Sequence, residues 1–266
     1  VKRVIVGHGL VGQALKRAMP DAEWWTHGPR TALDRCDELY VAAAKVGGVA
    51  ENSAKPVDFL RDNVRNGLDW LNWAYRANTH RVLLFGSVCM YPRSDTGELE
   101  PTNRAYAMAK LCILEAARAY HKQYGTRVSY VVPTNLYGPG DKSTHVIPEI
   151  IAKIRRAKET GEPPRLYGDG SAVREFLHVD DLARACMQVM ASGYAGPEPI
   201  HVSSGVLTSI REVVDMVCRA VGYDGLFWWG MGPNGAPYRK LTTTLDGWSP
   251  RITLEEGLRE LCTSRS

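Results

Sequence analysis

A serine and a cysteine stand two residues apart in GSVCMYP (residues 86–92), directly after the apolar run RVLLF. In an extended chain positions i and i+2 point the same way, so Ser87 and Cys89 would present a hydroxyl and a thiol to one site if extended geometry persists that far. A hydroxyl can polarise a carbonyl oxygen. A thiol, with an ordinary pKa of about 8.5, is basic enough to take a proton from an activated carbon. A cysteine among apolar neighbours is, by itself, a small buried hydrophobe.

The second pair is Tyr106 and Lys110 in YAMAK. On a helix this spacing puts phenol and ammonium on one face. A phenol, with a pKa of about 10, exchanges protons near neutrality only when a neighbouring cation stabilises the phenolate. Such a pair arises by chance in many helices. It gains meaning beside a serine at the end of a preceding strand and a nucleotide loop at the start of the chain.

That loop is GHGLVG, running from Gly7 through Gly9, Leu10 and Val11 to Gly12, after the strand-like KRVIV and at the start of a helical stretch. Glycines there allow a tight turn and bring backbone amides close to a pyrophosphate, whose charge the helix N-terminus favours. The acidic residue expected about twenty positions later, to bind a ribose 2′-hydroxyl, is not evident. Thr26, His27 and Arg30 stand there instead. Arg30 could take a 2′-phosphate, which favours NADP(H) over NAD(H), or it could lie in a solvated loop.

Short apolar runs alternate with amphipathic stretches through the first half, the pattern of β-α-β units in a parallel sheet. The expected fold is α/β: a Rossmann-type doubly wound parallel sheet with a smaller interleaved α/β substrate domain. Residues 1–139 and 174–202 are assigned to the dinucleotide domain, and 140–173 and 203–266 to the sugar-nucleotide domain. Between AEWW and ELYVAAA lie about a dozen residues, near the minimum for a parallel crossover with its helix. One strand-helix unit is therefore expected to be shortened.

The chain has 33 Lys and Arg against 29 Asp and Glu, scattered rather than clustered, which gives no extended nucleic-acid footprint and suits a small anionic ligand. Six cysteines are far apart, with no CxxC and no zinc-like spacing, so no metal is expected and a reduced, cytoplasmic setting is. The N-terminal apolar run is too short and glycine-broken for a signal peptide, and none reaches membrane-spanning length.

Gly7–Gly12, Ser87, Tyr106 and Lys110 together resemble the extended short-chain dehydrogenase/reductase family, in which Ser, Tyr and Lys work in hydride transfer. AAAKVGG, GSVCMYP, EPTNRAYAMAK, PTNLYGP, HVIP, REFLHVDD and NGAPYRKL, in that order, are similar to its bifunctional epimerase-reductases of GDP-4-keto-6-deoxy-D-mannose, which make GDP-L-fucose. The resemblance implies that Cys89 is the base and His145 the acid of a C3/C5 epimerisation. Ser87 and Tyr106 would then hold the C4 oxygen, and Lys110 the cofactor ribose. Ala43 and Lys45 are expected at the cofactor and Asn135 at the sugar or cofactor; because a pyrophosphate wants cations, Arg174 is a good candidate at the substrate, with Lys153, Arg155, Arg156 and Lys240 weaker ones. His178 would be structural or positioning, and Trp228 and Trp229 core. It also implies a homodimer through the helices around 57–77 and 106–120.

The family loop is usually GxxGxxG with a basic residue inside, whereas this one is a residue shorter. Remaining alternatives are a sugar-nucleotide 4-reductase or 4-epimerase without C3/C5 chemistry, and a non-catalytic NADP(H)-binding regulator. A dehydratase fits less well, because Val88-Cys89 stands where that chemistry wants an acidic pair.

Overall fold

The computed structural model describes residues 1–25, 35–92, 97–141, 145–194, 196–230 and 240–263. Its centre is a six-stranded sheet of β1 (Arg3–Val6), β2 (Glu23–Trp25), β3 (Glu38–Val41), β4 (Arg81–Phe85), β5 (Val128–Pro133) and β9 (Pro199–Val202), in the order β2-β1-β3-β4-β5-β9. Every neighbouring pair is parallel. A parallel sheet buries both faces, and these strands are accordingly rich in Val, Ile and Leu.

On one face Val4, Leu39, Val82, Leu84 and Val132 pack under α3 (Pro56–Arg76) and α4 (Arg104–Tyr124). On the other, Ile5, Tyr40, Leu83 and Val131 meet α1 (Leu10–Ala18) and α6 (Val179–Ala191). Helix α3 follows the short α2 (Val49–Ala54) and opens on Pro56, where a missing N–H costs nothing. Gly67 lets α4 come close, since a Cβ there would lie 2.6 Å from Ile113.

The expected shortening is real. A doubly wound sheet ordinarily carries a further strand outside the second. Here β2 is the edge among the described residues, and the next described strand, β3, lies on the far side of β1. Trp25 fills the flank that the shortening leaves, with its ring 5.3 Å from Trp73 and 6.1 Å from Trp70.

A three-stranded sheet of β6 (Asn135–Tyr137), β8 (Val173–His178) and β10 (Leu207–Ser209), and a two-stranded one of β7 (Arg165–Leu166) and β11 (Trp228–Trp229), lie beside it. With α5 (Val146–Thr160), α7 (Ile210–Val221) and α8 (Leu254–Thr263) they enclose a separate apolar cluster. The small sheet thus draws strands from both of the segments assigned by sequence to different domains. Trp228 is not core: it is 59% exposed, while Trp229 is half-buried under the Arg211 guanidinium, 5.0 Å from its ring. A two-stranded ribbon has only one face to bury, and alternation turns the first indole outward. Among the described residues no helix is long and apolar enough to cross a membrane.

Candidate active site

The glycine loop lies where β1 and β3 diverge, the switch point at which open α/β sheets bind ligands. Gly7 has φ +101°, and a Cβ there would lie 2.6 Å from the backbone N of Ala43, just beyond β3. At Gly12 a Cβ would come within 1.9 Å of the Gly7 carbonyl oxygen. Gly9, which precedes α1, is different: a Cβ would meet nothing within 4 Å. No side chain caps this helix and its first turn carries no acid, so the N–H groups around Leu10 and Val11 face open space. Those residues fit a dinucleotide pyrophosphate. Gly12→Ala should therefore lower unfolding free energy by about 3 kcal/mol, the upper range for overpacking, and abolish NADPH binding; urea melts and fluorescence titration check both.

The loop after β3 is held from α3. Asn63, only 2% exposed, accepts the Lys45 N–H at 2.9 Å and donates to the Lys45 carbonyl at 3.0 Å. Asn66 donates to the Ala43 carbonyl at 2.7 Å. The Lys45 ammonium itself turns to Asp62 and Asp58, at 3.5 and 3.7 Å. Neither asparagine was singled out by sequence, although Asn63 interrupts the apolar stripe of α3, and a buried amide on such a stripe needs backbone partners.

Ser87 ends β4, but the chain does not continue extended. Val88–Met90 forms a 3₁₀ turn whose cap is Ser87, its Oγ accepting the Cys89 N–H at 3.3 Å. Val88 and Met90 are buried in the core, while Ser87 and Cys89 are half-buried, with Cys89 packed against the edge of the same apolar cluster. The extended geometry assumed from the sequence thus gives way to a capped turn. Tyr106, in the first turn of α4, brings its phenol within hydrogen-bonding reach of Ser87, with its ring edge-on to Phe59. Lys110 is one turn further, its ammonium 5.6 Å from the centre of the Tyr106 ring and donating to the Phe85 carbonyl at 2.9 Å. Tyr130 on β5 steadies that turn by donating to the Lys110 carbonyl at 2.7 Å.

Burial pushes the Tyr106 phenol above its ordinary range, and the nearby Cys89 adds to this while the Ser87 hydrogen bond opposes it. Burial also brings Lys110 down to about 8. A lysine depressed in the fold binds fewer protons there than in the unfolded chain, so stability rises as pH climbs from about 8 to 10.5. Below that window a desolvated ammonium is a burden. Lys110→Met should therefore raise stability near neutrality by about 2 kcal/mol, allowing for the lost hydrogen bond to Phe85. The gain should shrink above pH 8, and denaturant titration at several pH values reads both.

Ser87, Cys89, Tyr106 and Lys110 are brought together. The other expected site residues stand on further elements. His145 directly precedes α5, half-buried, in the smaller layer. Asn135 on β6 donates to the Glu175 carbonyl at 2.9 Å. Arg174 is half-buried on β8, with one guanidinium N–H on the Val173 carbonyl at 2.7 Å. Lys153 pairs with Glu149 at 2.7 Å and lies 4.1 Å above the Tyr167 ring. Lys240 and Arg156 are exposed. Arg155 donates to the Leu261 and Cys262 carbonyls at the end of α8, a structural duty. His178 is buried and caps α6, its Nδ1 accepting the Asp180 N–H at 3.3 Å. Thr26, His27 and Arg30, and most of NGAPYRKL, fall outside the described residues.

Comparison with known proteins agrees with this geometry. Residues 29–205 match the model of the NAD dependent epimerase/dehydratase family. GDP-L-fucose synthase 1 of Arabidopsis thaliana is 35% identical over 296 residues, covering 97% of this chain and 91% of the relative. GDP-L-fucose synthase of Escherichia coli is 34% identical, covering 96% of this chain and 93% of the relative. The crystal structure of a GDP-L-fucose synthetase from Naegleria fowleri superposes with TM-score 0.81 at 23% identity, covering 97% of this chain and 91% of the other. With a family match over more than half its length, and a nucleotide loop and Ser-Tyr-Lys cluster built on the fold which that match implies, the chain belongs to the NAD dependent epimerase/dehydratase family.

Proposed function

We propose that this protein is a bifunctional epimerase-reductase that converts GDP-4-keto-6-deoxy-D-mannose to GDP-L-fucose by inverting C3 and C5 and then reducing C4. The observation that carries the reading is Cys89, fixed by the Ser87 cap on the turn that faces Tyr106. A reductase needs only the serine, tyrosine and lysine. The thiol is the added group, and it suits removal of a proton next to a ketone.

A 4-keto group acidifies C3–H and C5–H because the electron pair left behind delocalises onto the C4 oxygen. Ser87 and Tyr106 hydrogen-bond that oxygen and hold the enolate. Cys89 takes the proton from one face and His145 returns one to the other. Bound reduced nicotinamide supplies the hydride that ends on C4. Tyr106 gives its proton to the C4 oxygen as the ketone becomes an alcohol. A phenol raised by burial keeps that proton until the oxygen becomes strongly basic. Lys110 sits where it can hold the cofactor ribose and steady the tyrosine.

NADP(H) is the favoured cofactor. Strand β2 ends in two tryptophans, and the one carboxylate on it, Glu23, accepts from Trp25 Nε1 at 3.0 Å and pairs with Lys2 at 3.2 Å. No described acid is thus left at the strand end for a 2′-hydroxyl. Residues 1–139 with 174–202 are proposed to hold the dinucleotide, and the rest the GDP-sugar, with Asn135, Arg174, Lys153 and Lys240 toward the sugar nucleotide. Exposed Val57, Leu60, Leu68 and Met108 along α3 and α4 support a homodimer through those helices. None of the six cysteines, all among the described residues, is in a disulfide, which suits a reducing cytoplasm.

Incubation with GDP-4-keto-6-deoxy-D-mannose and NADPH or NADH, followed by cofactor absorbance and product NMR, tests the reading. GDP-L-fucose is expected, formed faster with NADPH. No oxidation of either cofactor overturns it.

A further inference from the structure

Tyr91 closes the turn that carries Ser87 and Cys89, its backbone N–H donating to the Val88 carbonyl at 3.2 Å. Its side chain then leaves the turn for β9, the far edge of the main sheet, where the hydroxyl lies 2.7 Å from His201 Nε2. The two rings meet edge-on at 5.4 Å. His201 is itself fixed: its N–H donates to Thr244 Oγ1 at 2.9 Å, and its carbonyl accepts the Thr244 N–H at 3.1 Å. Along β9, Ile200 and Val202 are buried in the α1–α6 layer, which leaves His201 on the α3–α4 side with the turn.

We propose that Tyr91 and His201 are positioning residues for the reaction: their hydrogen bond clamps the open end of the Ser87–Cys89 turn to the sheet edge. The clamp deepens the epimerase-reductase reading and rests on it for its catalytic consequence.

The argument is one of donors and lone pairs. A neutral imidazole with its proton on Nδ1 offers Nε2 as an acceptor for the phenol O–H. An imidazolium, or the other neutral tautomer, would instead donate its Nε2–H to the phenol oxygen, so the bond survives protonation with its direction reversed. Among the described residues Arg118 on α4 is close enough to act on Tyr91, and it is already paired with Glu198 at 2.9 Å and with Glu115. From β5, the register partner of His201 is Val132, and Thr244 is uncharged. The remaining titratable group on the turn is Cys89. Burial lowers the His201 pKa, so the ring is neutral near neutrality of the solution and the phenol can be the donor there. An amide at position 201 would supply a carbonyl acceptor at every pH.

Two measurements on the whole protein test this: amide hydrogen exchange of residues 86–92, corrected for intrinsic chemistry, and solvent deuterium entry at C3 and C5 of the keto sugar. Both are followed from about pH 5 to 8. Losing one hydrogen bond of ordinary strength predicts about tenfold faster exchange of the turn amides and about tenfold slower deuterium entry in Tyr91→Phe, with KM for the sugar nucleotide unchanged. His201→Leu should behave alike. Wild type should keep protection across this range, because either protonation state of His201 bonds the phenol, and His201→Gln, whose side-chain carbonyl accepts the phenol O–H, should keep it too. Wild-type protection and rate in Tyr91→Phe, or a loss of protection in His201→Gln as large as in His201→Leu, overturns the clamp. A wild-type protein that takes up no deuterium defeats the epimerase reading instead, and amide exchange still decides whether the clamp exists.

Discussion

Replacing Cys89 with serine stops solvent deuterium from entering C3 and C5 of GDP-4-keto-6-deoxy-D-mannose, a fall of about 10³-fold, within the range for removing a general base. Serine is nearly the same size and keeps the backbone N–H that Ser87 Oγ accepts, so the turn should survive. What changes is basicity. A thiol loses its proton at an ordinary pKa of about 8.5, whereas an alkyl hydroxyl near neutrality holds its proton far more tightly. NADPH binding should be untouched, because the glycine loop and Lys110 lie on other elements. Any cofactor oxidation that continues should give a C4 alcohol with C3 and C5 unchanged. NMR in deuterium oxide separates the outcomes. Undiminished uptake in Cys89→Ser would remove the thiol from the mechanism and leave a 4-reductase or 4-epimerase.

What was legible in the sequence follows from how far apart the interacting residues are. The glycine loop declares itself locally, because a tight turn, a free helix start and a close approach all need glycine within one short string. Ser87 with Cys89, and Tyr106 with Lys110, are also local pairs, and each stands on one element. That they share a site depends on β4 and α4 packing against each other, which the family resemblance supplied and periodicity did not. The 3₁₀ turn was missed for a physical reason. A serine can end a strand or cap a turn, and the choice is made by Val88 and Met90 finding burial beneath it.

The supports of the site were the least legible. Asn63 and Asn66 act on the loop after β3 from a helix that begins beyond it, and an asparagine in a helix can equally point to solvent. Tyr91 and His201 are 110 positions apart and meet because β9 pairs beside β5. Neither residue has a motif of its own. The shortening after β2 was visible as a count of residues, yet the answer to it, a tryptophan cluster joining Trp25 to α3, needed the sheet order.

Tyr106→Phe should slow both half-reactions, and this sets it apart from Cys89→Ser. The ring remains to pack edge-on against Phe59, and Lys110 keeps its bond to the Phe85 carbonyl, so folding and NADPH affinity should change little. Reduction loses the proton donor to the C4 oxygen, a loss of about 10³-fold or more. Epimerisation loses one of two hydrogen bonds to the same oxygen, and removing one oxyanion donor costs about 10² to 10³-fold. Ser87 stays as the other donor and prevents complete loss. Deuterium entry at C3 and C5 should therefore be slow but measurable, while NADPH oxidation is nearly absent. If Tyr106→Phe exchanged deuterium at the wild-type rate, the phenol would not touch the enolate oxygen, and the two steps would not share one set of donors. Burial holds the phenol pKa up, so wild-type reduction should not fail through loss of the tyrosine proton as pH rises past neutrality. An alkaline decline that begins near 8 belongs instead to Lys110. Following that limb in Lys110→Arg, whose cation persists through the range, assigns it: the decline should move upward by more than a unit of pH.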